Sequence, residues 1–340
     1  MSLFGSKKPS IHVSVFARTD VGQQRDHNED SFLVADLTRQ NASLLPEVRN
    51  HELGPKGTLL MVADGMGGAA AGEVASEMAT QIVYEHLTTH WVNDKEDTPQ
   101  QFAFRLREAV EGANTQIHEH AKKNPDRRGM GTTTTAVGIL GDYLFLTQVG
   151  DSRAYLVRKG EATQITKDQS LMQRLIDAGE MTEEEAEQSE RKNIILQALG
   201  PDPRVRVDLT HQHIRRGDTI VVCSDGLSGL VNKDEIGKAV SATEDLVEAC
   251  GSLIDLANER GGHDNITAIV ARIDGDGLEE SDDDASVGHE VYPLLDTESD
   301  TEPVPVYKGS DPPSPSNNTQ MTIAALASAF IMAAAIFVAA

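Results

Sequence analysis

The chain has 340 residues, of which 39% are hydrophobic, which is enough for one large domain or two ordinary domains with a substantial core. Its formal net charge of −24 argues against sequence-independent binding of nucleic acid, because lysine and arginine are needed to neutralise phosphates. The two cysteines have neither the number nor the spacing of a zinc site or a disulfide framework, so we expect two buried thiols in a reducing compartment.

Hydrophobic periodicity predicts the first elements of the chain. Alternation at period two predicts a strand at 11–17 and a second strand around 31–36. A helical spacing predicts a helix from about 72 to 90. The next helix has an apolar face made of Leu106, Val110, Ala113 and Ile117.

Strands dominate again from 132 to 157 and return at 219–224 and 266–273. Between them lies a charged helical stretch that begins near Leu171 and carries three consecutive glutamates at 183–185. Because strands and helices come in blocks instead of alternating regularly, this order predicts an α+β fold with antiparallel sheets.

The C-terminal part of the chain differs in composition from the rest. From 274 to 320 it is acidic and rich in proline and serine, which predicts a disordered linker, and 274–311 alone carries a net charge of −12. Residues 321–340 include no charged side chain, and a helix of that length is about 30 Å long, which matches a bilayer core. The segment therefore predicts a transmembrane helix that serves as an anchor, with a buried core helix as the alternative.

The N-terminus has no apolar segment of signal-peptide length. We therefore expect the globular domain, residues 11–273, on the cytoplasmic side of the cell membrane, held by a single-pass anchor that inserts from its C-terminal end. Lys308 is the only cation near the anchor, so the positive-inside rule adds little to this orientation.

Four aspartates stand at the ends of apolar, strand-like runs: Asp64, Asp151, Asp225 and Asp264. A single Asp-Gly after a strand is usually a turn, because glycine adopts positive φ and aspartate bonds its own backbone. Strand ends meet at a sheet edge, however, where gathered carboxylates repel one another unless cations neutralise them. Together the four predict a site with only oxygen ligands, which favours Mg²⁺ or Mn²⁺.

Two loops add candidate ligands. The segment Arg25-Asp26-His27-Asn28-Glu29-Asp30 offers a guanidinium suited to a phosphate and two carboxylates that could hold metal-bound waters, with a solvated turn as the alternative. The glycines of Asp64-Gly65-Met66-Gly67-Gly68 let the backbone turn sharply and offer a carbonyl to a cation. A nucleotide-phosphate cradle is the competing interpretation, but the chain lacks the Lys-Ser/Thr of a P-loop and the GxGxxG spacing.

Six motifs in this order resemble the metal-dependent serine/threonine protein phosphatases of type 2C (PPM), and their wording is nearest to the bacterial branch. The motifs are Arg25-x-x-Asn28-Glu29-Asp30, Asp64-Gly65-Met66-Gly67-Gly68, Gly129-Met130-Gly131-Thr132-Thr133, Val149-Gly150-Asp151-Ser152-Arg153, Ser224-Asp225-Gly226-Leu227 and Gly262-His263-Asp264-Asn265-Ile266. The resemblance covers 11–273 and implies a four-layer α-β-β-α sandwich, in which two antiparallel sheets are flanked by helices. It also implies a binuclear metal centre at one edge.

The resemblance assigns metal ligands by position. Asp64 would bridge two Mn²⁺ or Mg²⁺ ions. The Gly65 carbonyl and a water held by Glu29 would complete one ion, and Asp225 and Asp264 would complete the other. A hydroxide between the ions would then attack the phosphoryl group in line.

Further positions follow from the same resemblance. Arg25 would bind the substrate phosphate, and Asp151 would hold a third, weaker metal together with Asp225. Three residues depart from the family pattern. Met66 replaces a proposed general acid of animal relatives, Gly229 replaces an aspartate near the third metal, and Gln169 replaces a common histidine.

The expected activity is hydrolysis of phosphoserine and phosphothreonine in signalling proteins that a serine/threonine kinase has phosphorylated. The expected enzyme is a monomer that does not bind nucleic acid. Segment 171–200 resembles the bacterial flap beside the active site, with a plain surface helix pair as the alternative. Two other functions remain open, a non-catalytic pseudophosphatase scaffold and a hydrolase of small phosphate esters. The intact Asp64, Asp225 and Asp264 argue against the scaffold.

Overall fold

The structure, a computed structural model, describes residues 9–67, 71–189, 191–281 and 286–294. Within these ranges the strands are β1 (His12–Asp20), β2 (Asp30–Asp36), β3 (Asn41–Ser43), β4 (Arg49–Glu52), β5 (Thr58–Met66), β6 (Gly131–Thr132), β7 (Thr134–Leu140), β8 (Tyr143–Val149), β9 (Arg153–Arg158), β10 (Glu161–Gln164), β11 (Asp208–His213), β12 (Thr219–Cys223), β13 (Ile266–Asp274) and β14 (Glu290–Val291). The α-helices are α1 (Ala71–Thr89), α2 (Pro99–Lys123), α3 (Leu171–Asp177), α4 (Glu183–Glu187), α5 (Asp225–Ser228), α6 (Lys233–Ser241) and α7 (Leu246–Glu259).

The strands form two antiparallel sheets. The first sheet has the order β10-β9-β12-β13-β1-β4. The second has the order β14-β11-β8-β7-β5-β2-β3, with β6 paired to β5 beside this path. The α+β class with two antiparallel sheets and helices is therefore confirmed.

Successive side chains of β5 point alternately into two different hydrophobic cores. Leu59, Met61 and Ala63 pack against α1 and α2, whereas Leu60 and Val62 point to the core between the two sheets. A third core lies between the first sheet and helices α6 and α7. The layers across the domain thus follow the order helices, sheet, sheet, helices.

Helix α2 begins where the sequence chemistry favours a start. The Thr98 hydroxyl accepts a hydrogen bond from the Gln101 amide at 3.2 Å, and Pro99 takes the first helical position, where no amide donor is needed. The predicted helix from 72 to 90 is α1, and the strands predicted at 31–36 and 266–273 are β2 and β13. Both cysteines are buried and free, as expected.

The chain continues to contact the domain past residue 273, where the sequence predicts the domain to end. The Ser10 amide donates to the Asp276 carboxylate at 2.8 Å, and Leu278 is buried in the core between the sheets. Strand β14 pairs with β11, and the compact unit extends to Leu294. Described residues after 273 therefore pack on the domain through the apolar side chains of Leu278 and Tyr292. The acidic average composition of 274–320 gave no indication of these two contacts.

The rest of the predicted tail cannot be compared with the structure. Residues 295–320 of the predicted linker and the predicted anchor at 321–340 lie outside the described residues. Among the helices that are described, none has both the length and the apolar character required to cross a membrane.

Candidate metal centre

Adjacent strands place two of the candidate carboxylates side by side. Asp30 opens β2 and Asp64 lies near the end of β5, and the two residues are direct partners in the antiparallel register. The Ser224 and Thr267 hydroxyls donate to Asp30 Oδ2 at 2.7 Å and 2.6 Å. Asp30 Oδ1 is buried and has no hydrogen-bond partner among the described residues.

The first sheet contributes the facing carboxylate. Asp225 is separated from β12 by Ser224 alone, and its carboxyl group lies beside that of Asp64. Asp225 Oδ1 is buried and likewise finds no donor in the described part of the chain. Burial raises the pKa of Asp64 and of Asp225, and neighbouring carboxylates raise both further.

Asp151 belongs to the same electrostatic cluster. Burial and the charge of Asp225 raise the pKa of Asp151 to about 8. Burial raises the pKa of Asp30 to about 8 as well, with Asp225 and Asp264 adding to the effect. Carboxyl groups with such pKa values are destabilised as anions, and a divalent cation removes that penalty.

The residues present fit a hard cation. No group of three carboxylate, histidine or cysteine side chains in the described ranges already stands close enough to surround one ion. The carboxylates lie instead as neighbouring pairs, and the unpartnered buried oxygens of Asp30 and Asp225 are the observation that favours a cation. An all-oxygen donor set selects Mg²⁺ or Mn²⁺ over softer metals.

Gly65 occupies a place where no side chain fits. A Cβ on Gly65 would lie 2.3 Å from the Gly72 carbonyl oxygen and 2.5 Å from the Glu29 carbonyl oxygen. The Gly65 amide donates to that Glu29 carbonyl at 3.1 Å, which joins the start of β2 to the end of β5. The Gly-rich motif therefore brings α1 against the strand ends; its Gly68 lies outside the described residues.

Gly226 has a similar role beside Asp225. A Cβ there would lie 2.0 Å from the Asn265 carbonyl oxygen, which is backbone and cannot yield easily. We expect Gly226→Ala to lower the free energy of unfolding by about 2 kcal/mol or more. Gly251→Ala is the control, since a Cβ on Gly251 in α7 meets nothing within 4 Å, and it should stabilise by about 0.5–1 kcal/mol. Urea unfolding of both variants checks this, and an unchanged midpoint for Gly226→Ala would contradict it.

The Arg25 loop reaches the same edge. The Arg25 guanidinium donates to Asp264 Oδ2 at 2.8 Å, and its side chain is 47% exposed. The Asp264 Oδ1 atom accepts the Asn265 amide at 2.8 Å. Arg25 is therefore directed to the carboxylate cluster but remains accessible to a ligand from solvent.

Asn265 holds this loop, although the sequence reasoning gave it no role. Its side-chain amide donates to the carbonyls of Val21 at 3.0 Å and His27 at 2.9 Å, and its Oδ1 accepts the Glu29 amide at 2.8 Å. Glu29 is also held by Ser76, whose hydroxyl donates to the Glu29 carbonyl at 2.6 Å. The sequence signal that could have identified Asn265 is its position directly after Asp264, a candidate ligand.

Thr132 and Thr133 were also missed as supports of Asp64. The Thr132 hydroxyl and the Thr133 amide donate to the Asp64 carbonyl at 2.9 Å and 2.8 Å. The Thr133 hydroxyl accepts the Asp64 amide at 3.1 Å. The backbone of Asp64 is thus fixed on both sides, which leaves its carboxyl group free to face the other sheet.

The three departures from the family pattern have different surroundings. Gln169 is buried, where it accepts the Gly150 amide at 3.1 Å and donates to Asp208 at 2.9 Å, so it positions the turn that carries Asp151. Gly229 ends α5 and donates to the Asp225 carbonyl at 2.7 Å. Met66 is half-buried in β5 opposite Gly131.

Comparison with known proteins identifies the family of this chain. The family described as Protein phosphatase 2C matches residues 46–265. The chain belongs to the protein phosphatase 2C family. The resemblance inferred from the six motifs is thereby confirmed.

Bacterial members of the family are similar over most of this chain. The serine/threonine protein phosphatase PstP of Mycobacterium tuberculosis is 38% identical over 257 residues, which are 76% of this chain but 44% of PstP. The serine/threonine phosphatase stp of Listeria welshimeri is 36% identical over 74% of this chain and 93% of that protein. The catalytic domain of PstP in complex with two manganese ions is 36% identical, with a TM-score of 0.62, and covers 78% of this chain and 99% of that domain.

Proposed function

We propose that this member of the 2C family hydrolyses phosphoserine and phosphothreonine in proteins with two bound Mn²⁺ or Mg²⁺ ions. The observation that carries the proposal is the set of buried carboxyls at one sheet edge, with unpartnered oxygens on Asp30 and Asp225. The manganese complex of the similar PstP catalytic domain supports the choice of metal.

Five groups would hold the two ions. Four of them are the carboxylates of Asp64, Asp225 and Asp264 and the Gly65 carbonyl, and the fifth is Glu29, which would act through a water. When bound, such cations generate a nucleophile from water at neutral pH and offset negative charge on the phosphoryl oxygens. Asp30 would help to hold the ions through water with its Oδ1 atom, because Ser224 and Thr267 occupy Oδ2.

Two further groups have narrower roles. Asp151 would hold a weaker third ion together with Asp225. The charge of Asp225 raises the pKa of Asp151, and the charges of both raise the pKa of Asp64. Arg25 would orient the substrate phosphate, because its guanidinium is exposed beside Asp264 and suits bidentate binding of phosphate oxygens.

Replacing Arg25 by alanine should raise KM about tenfold while kcat falls less, because a group that binds the ground-state phosphate contributes equally to the transition state. Steady-state kinetics on a phosphothreonine peptide with saturating Mn²⁺ measures both constants. Arg18→Ala is the matched control, since Arg18 is also a half-exposed arginine paired with an aspartate, Asp20. A large loss of kcat with KM unchanged would make Arg25 a transition-state group instead.

We further propose that the enzyme acts as a monomer on the cytoplasmic face of the cell membrane, with residues 321–340 as a single-pass anchor. Its substrates would be phosphoproteins near that membrane that a serine/threonine kinase has modified. The support is the uncharged apolar composition of this segment, and the acidic stretch before it, which anionic headgroups would repel.

Ending the chain after Gln320 should move it from the membrane pellet to the soluble fraction. Activity on a small phosphate ester should stay within about twofold, because all six motifs precede the tail. Fractionation with a carbonate wash is the measurement. If the full-length chain washes off, or the shortened chain stays in the pellet, the anchor is wrong.

A further inference from the structure

Two buried hydroxyl groups meet between the two sheets, next to a candidate metal ligand. The hydroxyl oxygens of Thr133 and Ser152 are hydrogen-bonded at 2.7 Å. Thr133 stands between β6 and β7 of the second sheet, whereas Ser152 directly precedes β9 of the first sheet. Both side chains are buried. We call these two residues the hydroxyl pair, and their contact joins one sheet to the other.

One member of the hydroxyl pair is bonded directly to Asp64. The Thr133 Oγ1 atom accepts the Asp64 amide at 3.1 Å, and the Thr133 amide donates to the Asp64 carbonyl at 2.8 Å. A hydroxyl that accepts a hydrogen bond keeps its own proton, so Thr133 can donate to Ser152 while it holds Asp64. A single oxygen atom therefore connects the backbone of Asp64 to the first sheet.

The other member lies in a turn that is itself fixed. This turn carries the chain from β8 of the second sheet to β9 of the first. The Gln148 side-chain amide donates to the carbonyls of Ser152 at 2.7 Å and Gly150 at 3.1 Å. The Thr135 hydroxyl donates to Gln148 Oε1 at 2.6 Å, and Thr135 and Gln148 are both buried. Ser152 is thus a fixed point for Thr133 and not a mobile partner.

The hydroxyl pair lies one strand away from two facing ligands. Thr133 precedes β7, which is the neighbour of β5, the strand that contains Asp64. Ser152 precedes β9, which is the neighbour of β12, the strand that leads to Asp225. Asp64 and Asp225 meet across the sheets, and the charges of Asp225 and Asp151 both raise the pKa of Asp64. The contact between the hydroxyls and the contact between the carboxyls therefore cross from sheet to sheet side by side.

We infer that the hydroxyl pair positions Asp64 relative to Asp225 and thereby sets the affinity of the site for divalent cations. The inference deepens the proposed function, since it concerns the same metal site. Groups that orient a metal ligand typically contribute about ten- to a hundredfold to metal affinity. The competing explanation is packing alone, because a Cβ on Gly150 would lie 2.6 Å from the Thr133 methyl group.

Two substitutions of Thr133 separate the hydroxyl from the packing. Thr133→Val removes the hydroxyl and keeps the shape, so we expect the Mn²⁺ dissociation constant of the full chain to rise about tenfold or more. Thr133→Ser keeps the hydroxyl and removes the methyl group, so its dissociation constant should stay within about twofold of the wild type, because the ligand remains oriented. Electron paramagnetic resonance of free Mn²⁺ during a titration measures the constant without any turnover.

Substitution of Ser152 tests whether this residue acts through Thr133. Ser152→Ala should raise the Mn²⁺ dissociation constant about fivefold, the effect of one lost hydrogen bond between neutral groups. The double variant, Thr133→Val with Ser152→Ala, should bind Mn²⁺ as tightly as Thr133→Val alone, because the path from Ser152 to Asp64 runs through the Thr133 hydroxyl. Two independent effects would multiply instead.

Thr147→Val is the matched control. Thr147 is a fully buried threonine of β8 in the same sheet, and its hydroxyl has no hydrogen-bond partner within the part of the chain that the structure describes. The same change of hydroxyl to methyl should therefore leave the Mn²⁺ dissociation constant unchanged.

Equal Mn²⁺ affinity of Thr133→Val and the wild type would overturn the inference and leave the metal site intact. A Thr133→Ser variant that binds as weakly as Thr133→Val would assign the effect to packing, and effects that multiply in the double variant would separate Ser152 from Asp64; either result contradicts the inference. If Thr133→Val does not fold, Ser152→Ala decides, and an unchanged dissociation constant refutes the role of the pair. A wild-type chain that binds no Mn²⁺ would instead overturn the proposed function.

Discussion

Replacing Asp225 by asparagine should lower kcat on a phosphothreonine peptide by a factor on the order of a thousand. The carboxylate faces Asp64 across the two sheets, and its Oδ1 is a buried oxygen with no donor in the described structure. The asparagine side chain is uncharged, so the site loses one anionic ligand and neutralises less of the metal charge. This loss should raise the free energy of the transition state by several kcal/mol. Phosphate release at increasing Mn²⁺ concentration measures both kcat and the metal dependence.

Asp255→Asn is the matched control for this change. Asp255 is an exposed aspartate on α7, so the same substitution removes the same charge away from the cluster and should leave kcat unchanged. A variant Asp225→Asn that retained more than about a tenth of the wild-type kcat at saturating Mn²⁺ would show that the metal does not depend on this carboxylate.

The metal-free protein should become less stable as pH rises from 5 to 8. Asp30 and Asp151 have folded-state pKa values of about 8, far above the value of an unfolded aspartate. Between these values the folded state binds more protons than the unfolded state, so deprotonation lowers the free energy of unfolding. Mn²⁺ should reverse the trend, because the cation binds the anionic carboxyls of the folded protein only.

Chemical unfolding with chelator at several pH values measures this slope. Other groups titrate in the same range, so the informative quantity is the difference between the wild type and Asp30→Asn. That variant lacks one buried carboxyl and should show a shallower decline, with weaker stabilisation by Mn²⁺. Equal slopes in the two proteins would mean that Asp30 is not part of a strained carboxylate cluster.

The sequence located the candidate ligands because strand ends can be read from hydrophobic runs. The run from Leu59 to Ala63 ends in Asp64, and the run from Thr219 to Cys223 ends before Asp225, so two antiparallel sheets had to bring both to an edge. The supporting groups were harder to foresee. Ser224 and Thr267 hold Asp30 across more than 190 residues of sequence, a contact that depends on how the sheets stack and not on any local pattern.

Two strands at one edge of the second sheet also could not be predicted from the sequence pattern. Strand β11 has Leu209 as its single apolar residue among five polar ones, so it gives no hydrophobic signal. Strand β14 has only two residues, inside an acidic stretch that predicts a linker. Its position is fixed by partners far away, since Tyr292 packs edge-on against Phe145 and His211 with ring centroids 5.2 Å apart in each case.

The most direct test of the phosphatase assignment is phosphate release from a phosphothreonine peptide before and after removal of divalent cations. The full chain should lose activity in excess chelator and regain it when Mn²⁺ or Mg²⁺ is restored, whereas Asp225→Asn should remain inactive at matched metal concentration. Turnover that survives exhaustive chelation, or that returns with metal in Asp225→Asn as fully as in the wild type, would contradict a mechanism built on these carboxylates.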